Sequence, residues 1–257
     1  MSSPDDGSAN AAELANFLDA LTSTQDVQGR WNHLTRFMGN HGADVINYAV
    51  LNTLEFNREE APVTQFSTMS SDWIEHYLDH RLDLHDPHVR YAREGKVQPY
   101  RWGEGQTSFL MIEAERKTLA LAAEAGLRSQ ISMVAPDPSG RGAPIGGMTI
   151  GSSLRAGEYF RAIDGKESML LSAAMLYHNS AIGEIRRHQV DAIPLSPRER
   201  DCMTYVARGL RTVRIAERLG LSEVTVELYL RNARRKLKAA TTAQAVARAM
   251  IFGDVKL

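Results

Sequence analysis

The chain has 257 residues, 43% hydrophobic, 24% charged and 7% aromatic, enough for one or two buried cores, and no run approaches the roughly 18 to 20 apolar residues that cross a bilayer. The polar, acidic start (Met1 to Asn10) is unlike a secretory leader, and Cys202 as the single cysteine excludes an internal disulfide and a cysteine-only metal site; the cytoplasm is the expected compartment, with no membrane partner. The net charge of -1 conceals an asymmetry, because residues 195–257 hold 13 Lys and Arg against 6 Asp and Glu, or +7, leaving -8 for the rest, and a segment at +7 is the footprint of a polyanion binder.

Apolar positions at helical spacing predict two amphipathic helices, one through Leu14, Phe17, Leu18 and Leu21, the next through Val27, Trp31, Leu34, Phe37 and Met38. Strands are expected over Ala43 to Leu51 and Pro62 to Ser67. Ser70 or Ser71 can cap a short helix bearing Trp73, Ile74, Tyr77 and Leu78, and Asp86-Pro87 starts another, with Pro at its first position. The Leu, Ala, Glu and Lys content of Thr107 to Ala125, closed by Gly126, predicts a helix. Arg128 to Ala135 and Ala143 to Gly151 look like strands joined by the Pro- and Gly-rich loop Pro136 to Gly142, and Ala156 to His188 like one long or broken helix whose stripe (Met169, Leu170, Ala173, Leu176, Tyr177, Ile182) faces a core or a partner subunit. The fold class is therefore α+β: an α/β/α sandwich with an antiparallel sheet, followed by an all-α domain. The boundaries expected are 1–188 for a small-ligand domain, 189–194 for a linker and 195–257 for a DNA-binding domain.

In the basic third, Ser196-Pro197-Arg198-Glu199 is a capping box that opens a helix to Arg208, closed by Gly209. A short helix, Thr212 to Leu219, stops at Gly220, and Ser222 caps a third, Glu223 to Lys238. Two short helices joined by a turn of about four residues are the helix-turn-helix pattern. On the third helix Val226, Leu230, Ala233 and Leu237 form an inner stripe, while Thr225, Glu227, Arg231, Arg234, Arg235 and Lys238 are the candidate DNA contacts. Leu195 to Arg200, Ile215 to Glu223, Thr225-Val226 and Arg234 to Leu237 together resemble the four-helix DNA-binding domain of LuxR-type transcription regulators. Glu227 departs from the Lys or Arg usual there, and Met203 from the usual Leu. The resemblance implies double-stranded DNA as a partner, read as two half-sites by a homodimer, since one such helix reaches only a few base pairs.

The acidic two-thirds must say which kind of regulator this is. Asp5-Asp6 precede any strand, which excludes a phosphorylated receiver domain. Trp73 and Tyr77 lie four apart on one helical face, and Asp86 sits among apolar and aromatic residues, where a buried carboxylate requires donors; the set fits either a small-molecule pocket or an aromatic core with Asp86 capping a helix. With Pro99-Tyr100-Arg101-Trp102, Ala125-Gly126-Leu127 and Gly146-Gly147-Met148-Thr149, residues 20 to 185 resemble the autoinducer-binding domain of acyl-homoserine-lactone receptors. The resemblance implies that Trp73 donates to a lactone carbonyl, Asp86 accepts an amide N–H, Tyr77 and Trp102 wall the ligand, and the Thr149 hydroxyl lies near the acyl carbonyl. Met69 replaces a Tyr donor and Gln130 a Gly, so Gln130 either supplies the lost donor or fills part of the pocket. The ligand implied is an acyl-homoserine lactone or related amphiphile, with no cofactor and no metal. His80, His85 and His88 near Asp83 and Asp86 raise the contrary idea of a metal-dependent lactone hydrolase, but their spacing fits no zinc signature and they are read as surface histidines.

Overall fold

A computed structural model describes residues 4–52, 63–94, 96, 98–104, 111–137 and 145–256. The chain separates into two compact units, Met1–Ala181 and Ile182–Leu257. In the first unit α1 (Pro4–Ser23) and α2 (Val27–Asn40) come where the apolar spacing predicts them, and the Phe17 and Phe37 rings pack 4.7 Å apart between them. Five antiparallel strands follow in chain order: β1 (Val45–Leu51), β2 (Val63–Ser67), β3 (Tyr100–Gly103), β4 (Ser129–Ala135) and β5 (Gly146–Ser152). Their order across the sheet is β2-β1-β5-β4-β3. Strand β3 is a finding beyond the sequence pattern, being only four residues long and defined by pairing Trp102 with Gln130 and Tyr100 with Ser132 on β4. Pro62, Ala143, Pro144 and residues 138–142 of the expected strands and loop lie outside the described residues.

Helices cover both sheet faces. On one side Tyr177 of α7 (Glu167–His188) packs on Tyr48 with ring centroids 5.4 Å apart, and Trp31 of α2 packs on Tyr177 at 5.6 Å. On the same side the Tyr159 hydroxyl of α6 (Ala156–Ala162) donates to the Ile150 carbonyl at 2.7 Å. Helices α3 (Ser71–Asp79), α4 (Pro87–Arg93) and α5 (Glu113–Glu124) lie on the other side. Register assigns every strand side chain to one side or the other. Ile46, Tyr48, Val50, Ile131, Met133, Met148 and Ile150 face α2, α6 and α7 and form the apolar core. Asn47, Tyr100, Trp102, Gln130, Ser132 and Thr149 share the face toward α3, α4 and α5.

One helix of this unit starts later than expected. The predicted Thr107 to Ala125 helix begins at Glu113, because the Glu115 carboxylate accepts the Ile112 N–H at 3.0 Å and fixes the first turn; residues 107–110 lie outside the described ones. Of the two alternatives for 156–188, the broken one holds, as α6 and α7. Its stripe is mainly core: Met169, Leu170, Ala173, Tyr177 and Ile182 are buried within the chain and Leu176 is half-buried.

The second unit starts inside α7 and holds α8 (Pro197–Ala207), α9 (Thr212–Leu219), α10 (Glu223–Lys236) and α11 (Thr242–Ile251). The Ser196–Glu199 capping box forms, Gly220 ends α9 in the left-handed conformation (φ 63), and Ser222 caps α10. Cys202, Ile215, Ala216 and Val226 make its core. The chain end belongs to it too: Arg187 pairs with Asp254 at 3.0 Å, and Phe252 and Val255 are buried. Among the described residues no helix is long and apolar enough to cross a membrane.

Candidate functional site

Ser70 starts α3 by accepting the Trp73 N–H at 3.3 Å, which sets Trp73 and Tyr77 on the helix face toward the sheet. Trp73 packs with Met69 against Val45, Ala122 and Leu127, and its ring lies 6.1 Å from that of Tyr77. The Tyr77 hydroxyl donates to Asp86 Oδ2 at 2.7 Å, and Asp86 Oδ1 accepts the His88 N–H at 2.8 Å as the N-cap of α4. One carboxylate therefore both caps a helix and joins the aromatic group, which is the arrangement of the core reading weighed for it. Burial, reinforced by the Asp86 charge, pushes the Tyr77 phenol well above its usual range and keeps it a donor.

Of the remaining predicted ligand residues, Trp102 and Gln130 are register partners on β3 and β4, 6% and 0% exposed. Gln130 has room because Gly151 stands opposite it on β5; a Cβ there would come 2.3 Å from Leu127 Cδ1 and 3.3 Å from Gln130 Cβ. Thr149 is half-buried, its hydroxyl 3.4 Å from that of Ser132. Met69 Sδ accepts from the Asn47 amide at 3.4 Å, and the Asn47 carbonyl oxygen accepts from Ser67 at 2.5 Å.

Two further residues belong to this group. His88 reaches Gln130 with Nε2 and the Tyr100 hydroxyl with Nδ1, so the surface reading of His88 is corrected. Burial holds its imidazole below the usual range despite the nearby Asp86 carboxylate. Period-two spacing from Trp102 places Tyr100 on the same strand face, a signal present in the sequence; His88 and Gln130 are 42 residues apart and carry no local signal. The other histidines take separate places: His80 Nδ1 meets the carbonyl of His76 at 3.0 Å, and His85 is exposed. Asp83 pairs with Arg81 at 2.9 Å.

In the basic unit the inner stripe of α10 is inside: Val226, Ala233 and Leu237 are fully buried. Glu227, Arg231 and Arg235 are exposed, and Thr225 and Arg234 half-buried. Val224 and Leu228, 75% and 43% exposed, extend the same outward stripe and were not singled out by charge. Lys238 departs from expectation. Helix α10 ends at Lys236, and Lys238 has a left-handed backbone (φ 55) while Arg248 of α11 donates to the carbonyls of Leu237 and Lys238.

Residues 26–181 match the family model for the autoinducer binding domain, and residues 193–249 that for bacterial regulatory proteins of the luxR family. The chain is 24% identical to the transcriptional activator protein AhyR of Aeromonas hydrophila, over 94% of this chain and 91% of that one. It is 28% identical to the quorum sensing-dependent transcriptional regulator RpaR of Rhodopseudomonas palustris, over 72% of each. Among solved structures, SdiA of Escherichia coli has the same fold, with a TM-score of 0.54 at 16% identity over 95% of this chain and 98% of that one.

Proposed function

The chain belongs to the LuxR-type transcription regulators that join an autoinducer-binding domain to a helix-turn-helix DNA-binding domain, and from that premise we propose that its signal is an acyl-homoserine lactone held over the α3–α5 face of the sheet. Such proteins are regulators and not enzymes. Trp73 donates to the lactone carbonyl, Asp86 accepts the amide N–H, Tyr77 and Trp102 wall the ligand, Thr149 serves the acyl carbonyl in place of the donor that Met69 lacks, and Gln130 lines the same pocket. Residues 1–188 act as sensor, 189–194 as linker and 195–257 as reader of DNA. The observation that carries this reading is the connected group Trp73, Tyr77 and Asp86 above a sheet face that carries Asn47, Gln130, Ser132 and Thr149 beside its aromatic residues, with a helical layer covering it. A face covered on both sides yet built from polar residues is a poor core and a good ligand floor.

Ligand burial completes that layer and favours the DNA-competent form, by no more than the ligand's differential affinity for the two states. The protein acts as a homodimer on two half-sites. On α11, Ala245 and Ala249 are fully buried in their own chain, whereas Met250 is 43% exposed and is the candidate dimer contact of that helix. Thermal melting with lactones of graded chain length tests the ligand: a rise in melting temperature that disappears in Asp86→Asn is expected. No shift with any lactone, with DNA binding intact, would mean a non-lactone signal or none. Sedimentation that shows only monomer at micromolar concentration, with and without DNA, would remove the dimer.

A further inference from the structure

Among the described residues, two buried polar side-chain atoms on the α3–α5 face lack a hydrogen-bond partner: Trp102 Nε1 and Gln130 Oε1. The two residues are register partners on neighbouring strands, so their side chains rise from the same face within about 5 Å at Cβ. The Gln130 amide spends one end on His88. Whichever way the amide is turned, one of its polar atoms faces His88 and the other faces no protein group. Nearby polar atoms are matched among themselves, Ser132 with Thr149 and His88 with Tyr100. The mismatch is thus confined to one donor, the indole N–H, and one amide end.

We propose that Gln130 and Trp102 form a second polar anchor, separate from the Trp73–Tyr77–Asp86 group, that selects a ligand whose tail carries an oxygen, oxo or hydroxy, over one with a plain alkyl tail. A tail oxygen accepts the indole N–H and, as a hydroxyl, also serves the amide; a hydrocarbon tail in the same place leaves both atoms buried and unpaired, which disfavours it by about tenfold or more. This selectivity rests on the acyl-homoserine-lactone reading. A buried water would meet the same two atoms without any preference between tails, and the test separates the cases.

The experiment compares dissociation constants for pairs of acyl-homoserine lactones of equal length, one plain and one oxygenated on the acyl chain, by calorimetry with the full chain. Wild type is expected to bind the oxygenated member about tenfold or more tightly. In Gln130→Met, which keeps the volume and removes the amide, the ratio should fall toward one, largely because the plain lactone binds better. Trp102→Phe should narrow the ratio as well, and serves alone if Gln130→Met does not fold. Equal binding of both members by wild type overturns the second anchor and leaves the lactone reading standing, as does a ratio unchanged in both variants. Binding of neither member overturns both.

Discussion

Glu199 fastens the start of α8 to the end of α10 with one carboxylate. Its Oε2 accepts the Ser196 N–H at 2.7 Å and Lys236 Nζ at 2.6 Å, and its side chain is 5% exposed. Burial pushes the carboxyl up, but the bonds from Lys236 and Ser196 outweigh it and hold the group below its usual range. A depressed carboxylate contributes stability above its unfolded pKa of about 4.3 and loses it as the pH falls through the lower folded value. The acid limb of an unfolding titration should therefore flatten in Glu199→Gln, and Glu199→Ala should cost roughly 2 to 4 kcal/mol by chemical denaturation at pH 7. An unchanged acid limb would show that the pair contributes nothing. This contact was half legible. The capping box is local, three residues from Ser196 to Glu199, whereas Lys236 lies 37 residues away and is brought in only by packing. The sensor repeats the lesson, with Asp86 readable as a cap from Asp86-Pro87 and His88 against Gln130 readable only once the sheet is assembled.

Helix boundaries follow their caps, which is why α8, α9 and the starts of α3, α4 and α10 agree with the sequence. The exceptions have causes outside the element. Strand β3 owes its existence to β4, and the end of α10 to Arg248 of α11. That turn yields a prediction with two signs. A left-handed backbone costs a non-glycine residue about 1 to 2 kcal/mol, so Lys238→Gly should stabilise the fold by about 0.5 to 1 kcal/mol while weakening binding to all DNA sequences alike and lowering the salt slope by about one. Arg231→Ala, on the exposed face of α10, should leave stability within about 0.5 kcal/mol, cost about 1 to 3 kcal/mol of operator binding and relax preference at one base position. Denaturant unfolding and titrations at several salt concentrations measure both. Equal losses on specific and random DNA for Arg231→Ala would remove it from base readout.

At the scale of the molecule, the charge division near Pro194 and the shift from a mixed to an all-helical pattern made the two-part architecture legible. Which sheet face carries the polar side chains was not legible, because every residue of β4 from Ser129 to Ala135 is buried and neither face leaves the usual alternation of exposed and covered positions. Only register separates Gln130 and Ser132 from Ile131 and Met133. The last turn of the chain is a further long-range feature. Arg187, with 13% of its side chain exposed, finds its carboxylate in Asp254, and Phe252 and Val255 are 4% and 3% exposed. Cutting after Ile251 strands that guanidinium and removes the two buried apolar side chains, a loss of about 3 to 5 kcal/mol for the charge and about 2 kcal/mol for each side chain, against a total stability of roughly 5 to 15 kcal/mol. The shortened chain should melt far lower or fail to accumulate, and equal melting temperatures would disprove this. In genetic terms, a stop codon placed directly after Ile251 is then no silent trimming: it should score as loss of function, although every residue proposed to meet signal or operator is still encoded.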